Sequence, residues 1–86
     1  MSGKCETHEP AGERFAWLMF SREKDGIDYR VTAHRCACGC RGLHLGFWEY
    51  QYGTTIPIKA SPEAAYFPAG WKIFDTDGKR LATVGE

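Results

Sequence analysis

The chain of 86 residues carries eleven basic and eleven acidic side chains, for a formal net charge of zero. That length allows one domain, read as 1–86, with a modest core, and the even balance leaves no clustered positive charge of the kind that phosphate binding exploits. No run of about 18 apolar residues is present to cross a membrane, and the start, Met1-Ser2-Gly3-Lys4-Cys5, has no apolar signal core, so a reducing cytoplasm is the expected compartment.

In chain order, Cys5 and His8 come first, at a Cys-x-x-His spacing. Glu13 to Ser21 then places Phe15, Trp17 and Met19 on one alternating set and Ala16, Leu18 and Phe20 on the other. Apolar residues on both sets predict a strand buried on both faces. Asp25-Gly26 is a turn signal that closes a hairpin onto the next run, Asp28 to Cys36. That run alternates, with Tyr29, Val31 and Ala33 on a packed face and Arg30, Thr32, His34 and Cys36 on a wet or ligating one.

The segment His34-Arg35-Cys36-Ala37-Cys38-Gly39-Cys40-Arg41-Gly42-Leu43-His44 holds three of the four cysteines and two of the three histidines. Strand character resumes from Leu43 to Tyr52, so the cysteines are expected in the turn of a second hairpin, where Gly39 and Gly42 let backbone N–H groups approach thiolates. Pro57 within Ile56-Pro57-Ile58 marks an edge strand or extended loop. Ser61-Pro62-Glu63 reads as a helix start, with Ser61 as N-cap and Pro68 ending a short helical turn. Thr76-Asp77-Gly78 closes a last hairpin in which Trp71, Ile73 and Leu81 face the core. The expected fold is mostly β: antiparallel hairpins in a small sheet or partly open barrel, with one helical turn.

Every soft metal ligand lies in one of two short clusters, as a zinc site closed between distant segments requires. A disulfide is the competing cross-link, but cysteines one residue apart do not readily pair with each other, which leaves Cys5 as the only comfortable partner and two thiols over. The expected ligands of a structural Zn2+ are Cys5 and His8 with two or three of Cys36, Cys38 and Cys40. If all three of the latter bind, Cys5 completes the site and His8 moves outside it. His34 and His44 are read as ordinary strand histidines. The stretch Cys36-Ala37-Cys38-Gly39-Cys40 leading into Gly42-Leu43-His44-Leu45 resembles a Cys-Pro-Cys-Gly-Cys segment of small uncharacterised zinc-binding proteins of bacteria and phages. It covers some ten residues, with Ala37 in place of the proline and Arg41 after the last cysteine. The resemblance implies a bound metal and a bacterial or phage source, and it carries no activity.

No His-Glu-x-x-His, Gly-x-Ser-x-Gly or phosphate-loop pattern occurs, so no enzyme is expected. The Trp48, Tyr50 and Tyr52 set is either core, its commoner fate, or an aromatic platform with Arg30, Arg35 and Arg41 near it. The leading expectation is a non-catalytic zinc domain that binds another protein through Arg35, Arg41, Trp48, Tyr50 and Tyr52, in the format of a phage accessory or inhibitor protein acting in the host cytoplasm. A zinc-ribbon-like nucleic-acid binder is the first alternative, and a thiol-based enzyme or redox sensor the second.

Overall fold

The computed structural model describes residues 8–61, 64–75 and 77–85. Seven strands and no helix lie among them: β1 (Pro10–Arg22), β2 (Ile27–Cys36), β3 (Leu43–Gln51), β4 (Pro57–Ala60), β5 (Ala65–Phe67), β6 (Lys72–Phe74) and β7 (Arg80–Thr83). All pairings are antiparallel. The main sheet runs β1-β2-β3-β4, with β5 also on β3, and β6 and β7 form a separate ribbon. β4 pairs with Trp48–Tyr50 and β5 with Leu43–Leu45, so the two short strands divide the length of β3. The sheet stays open and does not close into a barrel.

The first hairpin turns where Asp-Gly places it. Gly26 sits at φ +72°, a left-handed conformation open to glycine, and Arg22 and Asp25 form an ion pair across the turn at 2.6 Å. The second hairpin, β2 to β3, carries the cysteines in its loop, as the alternation predicts.

Residues directly opposite in an antiparallel pair share a face. On one face Val31, Ala33, Leu43 and Leu45 are buried, and the β6–β7 ribbon covers them with Ile73 and Val84. Phe15, Trp17, Leu18 and Phe67 pack around this cluster half-buried. The other face carries Thr32, His34, Cys36, His44, Gly46, Trp48 and Tyr50. One sheet therefore separates a dry layer from a ligating and aromatic one.

Three expectations are corrected. β1 is not buried on both faces: it is the edge strand, and Met19 is 62% exposed. The register shifts between Ala16↔Thr32 and Leu18↔Val31, inserting one extra residue. Such a bulge reverses the alternation, so Phe15 and Trp17 before it and Leu18 and Phe20 after it are the partly buried positions. Both alternating sets are apolar because they serve one face in succession.

The helical turn expected from Ser61 is replaced from residue 65 onward by β5; Pro62 and Glu63 lie outside the described residues. Ser61 does not cap a helix, because its N–H donates to the Phe47 carbonyl and its hydroxyl accepts from the Phe47 N–H, prolonging the ladder with β3. In the last hairpin, whose Thr76 also lies outside the described residues, Ile73 is buried as expected, but Trp71 is half-exposed and Val84 fills the core. Trp71 instead meets the edge of Phe67, with ring centroids 5.5 Å apart.

Leu45, fully buried at the centre of the cluster, sets a test of this core. Leu45→Ala is expected to lower the unfolding free energy by about 2–5 kcal/mol, whereas Met19→Ala changes it by no more than about 0.5 kcal/mol. Urea denaturation followed by circular dichroism measures both.

Candidate metal centre

Two features of the backbone bring the tail and the cysteine loop together. Pro10 pairs with Cys36 at the open end of the β1–β2 ladder, and the Ala37 N–H donates to the Glu9 carbonyl at 2.8 Å. His8 is thereby held beside the loop. Within the loop the Gly39 N–H donates to the Cys36 carbonyl at 3.0 Å, closing a turn that places Cys36 and Cys38 side by side, and Gly39 itself adopts φ +83°.

The result is a group of four donors, His8, Cys36, Cys38 and Cys40, whose ligand atoms all lie within 4.8 Å of one another. His8 Nδ1 is 3.3 Å from Cys36 Sγ, 3.9 Å from Cys38 Sγ and 3.8 Å from Cys40 Sγ. Cys36 Sγ and Cys38 Sγ are 3.5 Å apart. Cys36 and Cys40 are thiols. Cys38 is disulfide-bonded; with it reduced, the arrangement is compatible with a bound metal ion and offers it three sulfurs and one imidazole nitrogen. Cys5 lies outside the described residues.

His8 lies with all three loop cysteines, whereas the expected alternative, Cys5 as fourth ligand with His8 outside the site, falls on a residue outside the described ones. Single-residue spacing accommodates three donors because Cys36 ends a strand while Cys38 and Cys40 follow on a tight turn, so their side chains are not confined to the alternation of a strand.

Tyr66, on β5, completes the surroundings. Its ring stacks on His8 with centroids 3.8 Å apart and planes 12° from parallel, and its hydroxyl is 3.4 Å from Cys40 Sγ. That hydrogen bond, helped by the Gly42 N–H and opposed by burial, lowers the Cys40 thiol below its ordinary value. The same bond, with burial, pushes the Tyr66 hydroxyl up to about 12. A donor aimed at a thiolate stabilises the form that binds metal.

His44, opposite both His34 and Tyr66 in the ladders, is 2% exposed, and its Nε2 is buried without a hydrogen-bond partner. Burial, then the nearby His8 and His34, lowers its pKa, so the imidazole is neutral. His34 stands apart, with Nδ1 3.1 Å from the Gly12 carbonyl.

The residues expected to bind a partner separate into two places. Trp48 and Tyr50 lie on the ligating face and are half-buried, away from the core cluster, and Tyr52 is 71% exposed at the strand end. Arg35 and Arg41 are not beside them: Arg35 lies over the Phe15 ring, and Arg41 donates to the Gly85 carbonyl. Arg30, over Tyr50, is joined there by Arg14, over Trp48. Sequence reasoning missed Arg14 because the β1 bulge hides its register, and missed Tyr66 because Ser-Pro-Glu reads as a helix start. No signal in the sequence pairs either with its contact.

Compared with protein-family models, with curated proteins and with solved structures, the chain matches none.

Gly42 is the tightest point of the site. A Cβ there would come within 2.5 Å of the Tyr66 hydroxyl oxygen and 2.6 Å of its ring. Gly42→Ala is expected to displace Tyr66 from His8 and cost about 1–3 kcal/mol, read as a lower midpoint in urea. An unchanged midpoint would show that the ring is not held there.

Proposed function

We propose that the chain is a non-catalytic β-domain stapled by one structural Zn2+, and that it works by binding another protein. The observation that carries the metal assignment is the donor spacing. Zn–S bonds of about 2.3 Å and Zn–N bonds of about 2.0–2.1 Å at tetrahedral angles require sulfurs about 3.8 Å apart and a nitrogen about 3.6 Å from each. His8 Nδ1 lies 3.3–3.9 Å from the three sulfurs and Cys36 Sγ lies 3.5 Å from Cys38 Sγ, with all four donor atoms within 4.8 Å of one another. A thiolate-rich, four-donor set selects zinc over harder cations. It also leaves no open coordination position for substrate, which supports a structural role over a catalytic one.

For the protein partner, support comes from the half-buried Trp48 and Tyr50 with their arginines on a face that has no second layer among the described residues, the residue types that dominate protein interfaces, together with the zero net charge. The finer reading, an accessory or inhibitor protein of the kind phages encode, rests on the small format and on the ten-residue resemblance around Cys36–Cys40.

Elemental analysis of reduced, purified protein is expected to give one zinc per chain. Chelation should lower the melting temperature by about 10 °C or more, since losing even 2–3 kcal/mol has that effect in a domain of this size. After chelation under denaturing conditions four thiols should react, the full cysteine count. A metal-free protein that exposes only two and melts unchanged would carry a disulfide in the staple's place and would sink the zinc assignment.

Cys38→Ser, Cys40→Ser and His8→Ala are each expected to lower zinc affinity. Cys5→Ser retains one zinc per chain if His8 is the fourth ligand, and loses it if Cys5 is. Binding of single-stranded oligonucleotides that falls steeply with salt would overturn the protein-partner reading.

A further inference from the structure

The face that carries the metal centre continues along β3 into a second constellation. Arg14 Cζ lies 5.1 Å from the Trp48 ring centroid and Arg30 Cζ lies 4.9 Å from that of Tyr50. The indole is itself fixed, because Trp48 Nε1 donates to Thr32 Oγ1 at 2.9 Å. A guanidinium lying on an aromatic ring keeps its in-plane N–H groups for a carboxylate fork. Neither arginine has a carboxylate partner within 4.0 Å among the described residues, where the ion pair present is Arg22–Asp25. The acidic residue opposite Tyr50, Asp28, accepts instead from the Ser21 hydroxyl at 2.8 Å.

Beside Arg14 is a cleft of about 180 Å³ lined by Arg14, Thr32, His34, Trp48 and Ser61 over Gly46, with Ala64 at its margin. Among the described residues no acidic side chain lines it. Gly46 keeps it open, since a Cβ would stand 3.1 Å from Thr32 Oγ1 and 3.3 Å from Trp48 Nε1. The second guanidinium lies along the same strand: Trp48 and Tyr50 are two residues apart, about 6.8 Å on an extended chain.

Building on the protein-partner reading, we propose that this face binds an extended acidic segment of a partner protein. One carboxylate enters the Arg14 cleft and a second, two residues away, meets Arg30. Side chains at positions i and i+2 of an extended peptide point the same way about 6.8 Å apart, matching the spacing of the two arginine–aromatic pairs. A nucleic acid fits less well. The guanidinium groups already cover the ring faces on which bases would stack, and the zero net charge brings little counterion release.

The test uses the full metal-loaded chain and fluorescently labelled peptides, read by anisotropy. A peptide with Glu-x-Glu in an otherwise uncharged, extended sequence is expected to bind. Its Gln-x-Gln counterpart should not, and adjacent Glu-Glu, whose side chains point to opposite sides, should bind more weakly. Arg14→Gln and Arg30→Gln should each weaken binding about tenfold or more, Arg14→Lys nearly as much because the fork is lost, and Arg35→Gln less than about twofold. Equal binding of the Glu and Gln peptides, or a loss that tracks Arg35, overturns the proposal. Because the peptide series runs on the unchanged chain, a variant that fails to fold does not remove the test. If neither the acidic peptide nor oligo-dT binds, this proposal falls and the protein-partner reading stands. Tight, Arg14-dependent binding of oligo-dT overturns both.

Discussion

The architecture depends on one junction, where the first residues of β1 meet the loop after β2. The Pro10–Cys36 pairing and the bond from the Ala37 N–H to the Glu9 carbonyl set the tail beside the turn, and four donor atoms then converge at the sheet's end. Thiolates gathered this closely would repel one another unless something positive or hydrogen-donating lay between or beside them. The Tyr66 hydroxyl and the Gly42 N–H act on Cys40, and the stacked His8 ring supplies the one nitrogen of the set. The same four donors are compatible with a bound metal ion.

The rest of the domain is arranged around the modest apolar area that 86 residues can bury. The small ribbon of β6 and β7 covers a single face of the main sheet, and the core cluster holds six buried side chains, two of them alanine or leucine with no exposure at all. The opposite face has no second layer among the described residues, and it is tied by polar and π contacts: indole to threonine, guanidinium to ring, imidazole to phenol. A domain with a core on one side only gains more from a fastener at its sheet end than a larger protein would.

Much of this was legible in the residues because the governing signals are local. Asp25-Gly26 marks a turn through its backbone requirement, and the alternation of Val31, Ala33 and His34 assigns β2 its two faces, as Leu43, Leu45 and His44 do for β3. Grouping of soft ligands pointed to Cys5 and His8 with two or three of Cys36, Cys38 and Cys40; His8 and all three loop cysteines come together, and Cys5 lies outside the described residues. What failed depended on distant partners. The β1 bulge is visible only against the register of β2, so two half-length apolar faces looked like two buried ones. Ser61 and Pro62 carry helix-start chemistry, yet the Ser61 hydroxyl finds the Phe47 N–H across the sheet. Tyr66 belongs to a three-residue strand too short to show a period, and the separation of Arg35 and Arg41 from Trp48 follows from the path of the loop.

The irregular course of β1 has a further consequence at the margins of the sheet. A long, regular border strand offers an unbroken row of N–H and C=O groups on which another chain can grow. Here that border is broken at two points along β1, and the opposite border begins with Pro57, which has no N–H to give. Lateral extension of the main sheet, including the end-to-end accretion that leads to fibres, is disfavoured on both sides. Exposed apolar side chains such as Met19 and Ile56 can therefore remain at the surface with less risk of polymerisation than their exposure alone would imply.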